Sequence, residues 1–163
     1  MQQRRSFWKP GSKRGTSVFM KYILLAHITA TLLMVGMIWF VQIVHYPLFS
    51  RVGSEGFSVY FEVHSRLTTY VVGPPMLVEA ATALLLVFRR PEDIPLTAAI
   101  IGFGLVAIIW LSTALLQVPR HTALGSGFDH AAWNALVLSN WVRTVAWSAR
   151  GGLVLWMASR VLG

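Results

Sequence analysis

Apolar residues in this chain fall mainly into four long blocks, about residues 18–45, 66–88, 96–118 and 132–158, rather than into short periodic faces. Crossing a bilayer as a helix takes about 20 predominantly apolar residues, and each block meets or nearly meets that length. The first three are nearly free of charge, apart from Lys21 at one end of the first and Glu79 inside the second. The pattern predicts an all-α fold, an integral membrane four-helix bundle. The charged turn "FRRPEDIP" (88–95) carries two prolines and makes the second and third helices antiparallel neighbours. In the connection 47–65, Phe57, Tyr60, Phe61 and His64 recur at helical spacing and predict a short interfacial helix running into the second span. The stretch "PRHTALGSGFDHAA" (119–132) is polar and glycine-rich and predicts a loop. Two prolines in "VVGPPML" predict a kink or break at Gly73–Pro75, explained either by packing geometry or by a cavity beside it.

Charge orients the bundle. Six of the fourteen Lys and Arg residues lie in the first 21 positions, so residues 1–17 read as a basic cytoplasmic tail and 18–163 as the transmembrane domain. With the N-terminus inside, inner segments hold nine Lys/Arg (the six, Arg89, Arg90 and Arg160) against Arg51, Arg66 and Arg120 outside. That asymmetry predicts an N-in, C-in topology, with Tyr46, Tyr60, Trp133 and Trp141 available for an outer aromatic belt. "RRSFWK" resembles a twin-arginine export signal, but the apolar run is too long and no A-x-A-like site follows, so the tail is expected to be retained. The net charge of +8 therefore belongs to a membrane-flanking tail, which argues against nucleic acid as a partner. The absence of cysteine excludes disulfides and thiolate ligands, and no serine sits in a nucleophile-elbow context.

Candidate chemistry gathers at one end. "WFVQIVHYPLF" (39–49) closes the first span with Gln42, His45 and Pro47, and lipid exit requires neither an amide nor an imidazole. In the expected topology His45, His64, His121 and His130 all fall on the outer side, with Gln42, Gln117, Asp129, Asn134 and Asn140 near their level. Imidazole suits both metal ligation and proton transfer near neutral pH. His45, His64 and His121 are the candidate metal ligands; His45, His121, Gln42 and Gln117 are candidate cofactor contacts, and a haem with two axial histidines is a variant of the same idea. No two of these histidines share a helix at ligand spacing, so a metal site would be assembled from several elements. An ordinary set of interfacial anchors is the alternative.

Deeper ionisable groups cost several kcal/mol in lipid unless paired or hydrated. Glu79 lies about 20 Å, Arg143 about 15 Å and Arg150 about 27 Å below the outer ends of their helices, and His27 is as deep as Arg150. Helical phase puts His27, Gln42 and His45 on one stripe, His64, Thr68, Pro75 and Glu79 on another, and Trp110, Thr113, Gln117 and His121 on a third. Asn140, Arg143, Trp147 and Arg150 form the fourth. The expectation is a polar axis in which Glu79 pairs with Arg143 or Arg150, serving either function or structure alone. Pro47 is expected to end the first helix. "WFVQIVHYP" and "LLQVPRH" also echo one another, each leaving the membrane with Gln, Pro and His.

The segment 118–156 resembles the end of a bacterial and fungal four-helix membrane family, DUF1772, which includes anthrone-oxygenase-like proteins. The motif V-P-x-[NH]-x-x-L is matched by Val118, Pro119, His121 and Leu124, and N-x-x-R by Asn140 and Arg143. The resemblance implies a four-helix bundle and oxidation of a lipophilic, polycyclic phenolic substrate by dioxygen in a bacterial inner membrane. On that reading Asn140, Arg143 and Glu79 are the candidate catalytic residues, with Asn140 and Arg143 holding an anionic oxygen. The other reading is a non-catalytic membrane subunit or small transporter with a proton- or solute-accessible polar core, for which a homo-oligomer would build the larger pathway.

Overall fold

The computed structural model describes residues 13–162, with side chains from Val18 to Val161. The expected basic tail, residues 1–17, lies outside the described residues except that the backbone of the first helix begins at Lys13. Four long helices make up the fold, and no strand occurs among the described residues. Helix α1 runs Lys13–Phe40 and continues through a π-helical turn, Val41–His45, into Tyr46–Leu48 and a 3₁₀ turn, Phe49–Arg51. Helix α2 is Phe57–Phe88. Helix α3 runs Leu96–Ser112, passes through a second π-turn, Thr113–Gln117, and continues as Val118–Gly125. Helix α4 is His130–Leu162. α1 and α3 each pack along both α2 and α4, so α1 and α3 occupy opposite corners.

Three helical stretches, Val18–Arg51, Phe57–Phe88 and Leu96–Gly125, are long and apolar enough to cross a membrane. α4 is as long but carries Asn140, Arg143 and Arg150 in its middle turns. The surface carries Leu25, Leu33, Ile43, Leu67, Val71, Leu77, Ile101, Leu115 and Val145, each well exposed, whereas His27, Thr31, Gln42, Glu79, Gln117, Asn140, Thr144 and Arg150 are buried. Apolar residues outward and ionisable groups inward is the arrangement lipid demands. The chain is an integral membrane protein whose apolar helices contact lipid. Its apolar core has three levels. Met20, Leu24, Leu86, Ile94, Ala98 and Met157 pack at the Arg89–Arg90 end. Met34, Ile38, Met76, Ile109 and Trp147 pack in the middle. Tyr46, Phe49, Phe57, Phe61, Leu124 and Leu136 pack at the histidine end.

Several sequence expectations change. Residues 57–65 are helical, but as the first turns of α2, so no separate interfacial helix stands between α1 and α2. Phe57 and Phe61 are buried against Phe49 and pull the segment onto the bundle. The stretch expected to be a loop from Pro119 is helical through Gly125, because Leu124 is fully buried in the aromatic end cluster. Only Ser126–Asp129 connect α3 to α4, with Gly127 at φ 145°, a conformation glycine adopts at little cost. Asp129 then accepts from the Ala132 amide at 2.6 Å and caps α4. Pro47 does not end α1; it follows the π-turn and the helix continues past it. Pro74 and Pro75 do not break α2, which is one uninterrupted helix. Of the expected belt, Tyr60 and Trp141 are exposed, but Tyr46 is buried and Trp133 donates its indole N–H to the Tyr46 carbonyl at 2.8 Å.

Candidate functional site

The two π-turns aim the site. In each, an amide reaches five residues back, Tyr46 to Val41 and Val118 to Thr113, and a proline, Pro47 or Pro119, follows. A π-turn accommodates one extra residue without changing the face presented beyond it. In α1 the buried positions Met34, Ile38, Gln42 and Tyr46 step by four; a straight α-helix would drift by about 40° at each such step, and the wider turn cancels part of that drift. In α3 the step from buried Ser112 to buried Gln117 is five residues, yet Ser112 Oγ donates to Gln117 Oε1 at 3.1 Å. The two prolines echoing each other in the sequence are thus the trailing ends of two equivalent widened turns.

At the histidine end, His45 Nε2 and His64 Nδ1 are 3.0 Å apart, and Thr68 Oγ1 is 3.1 Å from the same His64 nitrogen. His121 Nε2 lies 3.1 Å from the Tyr46 hydroxyl. The His64 and His121 rings are 6.5 Å apart, while Phe49 stands 5.1 Å from both the His45 and His64 rings. His64 Nε2 is buried without a partner. His130 is exposed and packs against Phe128 and Trp133, away from this group. Of the three candidate metal ligands, His45 and His64 are therefore brought together and His121 is tied to Tyr46. No group of three His, Asp or Glu side chains is placed to hold a metal ion among the described residues.

Behind this level an amide network sets α4. Asn140 Nδ2 donates to Gln42 Oε1 at 2.9 Å, Gln42 Nε2 donates to the Val137 carbonyl at 3.1 Å, and Thr144 Oγ1 donates to Gln42 Oε1 at 3.3 Å. Asn140 Oδ1 accepts from Arg143 Nη1 at 3.2 Å. The Arg143 guanidinium also neighbours the Tyr46 hydroxyl and lies over Trp147, 5.1 Å from the ring centroid. Its Nε is buried with no partner. Gln42 and Asn140 are thus occupied in positioning Arg143.

Arg143 reaches the floor of a groove of about 810 Å³ between α2 and α3. Along α2 its wall is one face, with Ser58, Glu62, Ser65 and Thr68 at the histidine end and Val72, Gly73, Met76 and Leu77 deeper. α3 contributes Trp110, Thr113, Gln117 and His121, the stripe expected from spacing alone. Gln117 donates its Nε2 to Ser139 Oγ at 3.3 Å. His45 and Gln42 lie outside this lining.

A second, deeper node joins all four helices. Arg150 Nε pairs with Glu79 Oε1 at 2.7 Å, both side chains 1% exposed, the sole ion pair among the described residues. Glu79 also accepts from Thr31 Oγ1 and from Trp147 Nε1, each at 2.9 Å. Arg150 further donates to the Gly102 carbonyl and lies 3.4 Å from both His27 Nε2 and Thr31 Oγ1. A Cβ on Gly102 would stand 3.7 Å from the Arg150 Nη1 atom, an ordinary van der Waals contact, so this approach does not depend on glycine. His27 Nδ1 meets Thr82 Oγ1 at 2.8 Å. The partner of Glu79 is Arg150, and the expected alternative, Arg143, is left without a carboxylate. Phase marked Trp147 but missed Tyr46, Thr31 and Thr82; Thr31, one turn after His27, was the nearest thing to a signal.

No protein-family model matches the chain, and neither a characterised protein nor a solved structure matches it.

Proposed function

We propose that the protein is a membrane oxidoreductase of the oxygenase kind, acting at the histidine end on a lipophilic hydroxylated substrate drawn from the bilayer. The observation that carries this reading is His121, which lines the groove while its Nε2 meets the buried Tyr46 hydroxyl. An imidazole backed by a phenol can take a proton from a bound hydroxyl and hand it on. Arg143, on the floor of the same groove, would hold the oxyanion left behind, in a medium whose low dielectric strengthens the attraction. Dioxygen, implied as oxidant by the family resemblance, would act on that electron-rich anion. His45 and His64 are the side chains open to a metal ion. In this proposal all four helices span a bacterial inner membrane, both termini are cytoplasmic, and the histidine end faces out.

The polar column from Gln42 through Asn140, Arg143 and Trp147 to Glu79, Arg150 and His27 favours a second reading, a non-catalytic subunit or small transporter with a proton relay. Oxygen uptake separates the two. Protein in nanodiscs is supplied with lipophilic phenols, and bound metal and the visible spectrum are measured on the same sample. Turnover that falls about 100-fold or more in both His121→Ala and Tyr46→Phe supports the oxidoreductase. No uptake with any such substrate would leave the non-catalytic reading, and uptake untouched by both variants would remove His121 and Tyr46 from the chemistry.

A further inference from the structure

We infer that the groove takes an elongated single-chain amphiphile with one anionic oxyacid head group, which enters sideways from the lipid between α2 and α3. This rests on the reading of the groove as the ligand site and goes further by naming the ligand's charge and shape.

Three observations converge. Arg143 is 7% exposed, lines the groove, and keeps a buried Nε without partner. The one buried carboxylate among the described residues, Glu79, is already committed to Arg150 in the deeper node. Glu62 is exposed on the rim and forms no ion pair among the described residues. A buried guanidinium with an unpaired Nε still lacks the acceptor that a carboxylate or phosphate supplies in paired hydrogen bonds. Polarity, secondly, is graded along the groove: Ser65, Thr68 and His121 surround the level of Arg143, while Val72, Met76 and Trp110 line the deeper part. A head group at Arg143 therefore lays its tail toward the middle of the bundle. Length is the third. From Ser58 to Leu77 the α2 wall extends about 29 Å, more than a compact ligand needs, and exposed Leu77 and Val118 on its margins open it to lipid.

Full-length protein in nonionic detergent is photolabelled with a long-chain carboxylate bearing a diazirine in its tail, and the labelled peptides are mapped. Competitors are oleate, oleyl phosphate and oleyl alcohol. Label is expected on the α2 and α3 faces around Val72, Met76 and Trp110, displaced by oleate or oleyl phosphate at least about tenfold better than by the alcohol. Whichever anion competes better identifies the source of the head group. In Arg143→Gln that preference should vanish, and in Arg143→Lys it should return in part. Equal competition by the alcohol in the native protein would overturn the proposal. Should Arg143→Gln fail to fold, Gly73→Phe obstructs the groove with Arg143 intact; Gly73 has no atom within 4 Å of a new Cβ. Anion-sensitive labelling that survives Gly73→Phe would equally overturn it. Anion binding without oxygen uptake would remove the oxidoreductase and keep this inference. Oxygen uptake undiminished by Arg143→Gln, with no anion preference in the native protein, would do the reverse.

Discussion

The indole of Trp147 faces two charged groups at once: its N–H donates to Glu79 Oε2 at 2.9 Å, and the Arg143 guanidinium lies over its ring. Replacing it by phenylalanine keeps an aromatic face beneath Arg143 but leaves a buried carboxylate oxygen short of a donor, which costs about 1–3 kcal/mol. Trp147→Phe should therefore lower the thermal midpoint in detergent and leave the binding preference of the groove largely intact; a shift in that preference without loss of stability would contradict this assignment. Glu79→Gln acts differently. It strands the Arg150 cation at the centre of four helices, and breaking one side of a buried pair costs about 3–5 kcal/mol. Because the loss comes from the orphaned charge, Glu79→Gln combined with Arg150→Met should recover most of it. Unfolding of the two single variants and the double variant, followed by tryptophan fluorescence, checks this. A Glu79→Gln protein as stable as the parent would remove the node from any structural role.

At the scale of elements, the π-turns act as register devices. Deleting exposed Leu115 from the α3 turn should convert it to regular α-helix and leave the packed faces on either side in place. Deleting Phe103 from the regular part of α3 should instead rotate everything beyond it by about 100° and expose Gln117 and Leu124. Size-exclusion profiles in detergent are the readout: a monodisperse peak is expected for the first deletion and aggregation for the second, and the opposite order would refute the register role. Much of this architecture was legible beforehand. Apolar block length marked all four helices, and phase marked the buried face Asn140, Arg143, Trp147 and Arg150, because one polar residue per turn in lipid has to turn inward. Helix ends were not legible. Hydropathy reports where lipid stops, whereas α3 goes on through Gly125 because Leu124 buries in an aromatic cluster assembled from three other helices. Nor was Tyr46 legible as a site residue, since its inward aim depends on a widened turn that no residue type announces. The choice of Arg150 as the partner of Glu79 was equally hidden, because both arginines lie on one face of α4 and only the packing of α1 against α2 selects between them.

For the whole molecule, charge asymmetry and site position make a joint claim. Among the described side chains Lys21, Arg89, Arg90 and Arg160 lie at one end and Arg51, Arg66 and Arg120 at the histidine end, and the sequence adds five more Lys/Arg before Val18; positive residues in short segments are held on the cytoplasmic side, so the groove should open toward the outer leaflet. The chain has no cysteine, which makes single-cysteine labelling free of background. Ser54 and Ser126 are exposed in the two turns at the histidine end, and Glu92 is exposed in the turn between α2 and α3. In intact cells, a membrane-impermeant maleimide should label Ser54→Cys and Ser126→Cys, while Glu92→Cys reacts only after lysis. Because the two outer probes flank α2 and α3 together with the start of α4, their joint labelling also requires that α4, despite Asn140, Arg143 and Arg150, crosses the bilayer if the C-terminus is cytoplasmic. A fourth probe at exposed Ser159 tests that crossing directly. Protection of Ser159→Cys in intact cells, with Ser126→Cys labelled, places the two arginines inside the membrane, where a buried cation without a carboxylate partner most needs an anionic ligand. Labelling of both from outside would put α4 on the surface and with it remove the reason to regard Arg143 as a membrane-embedded charge.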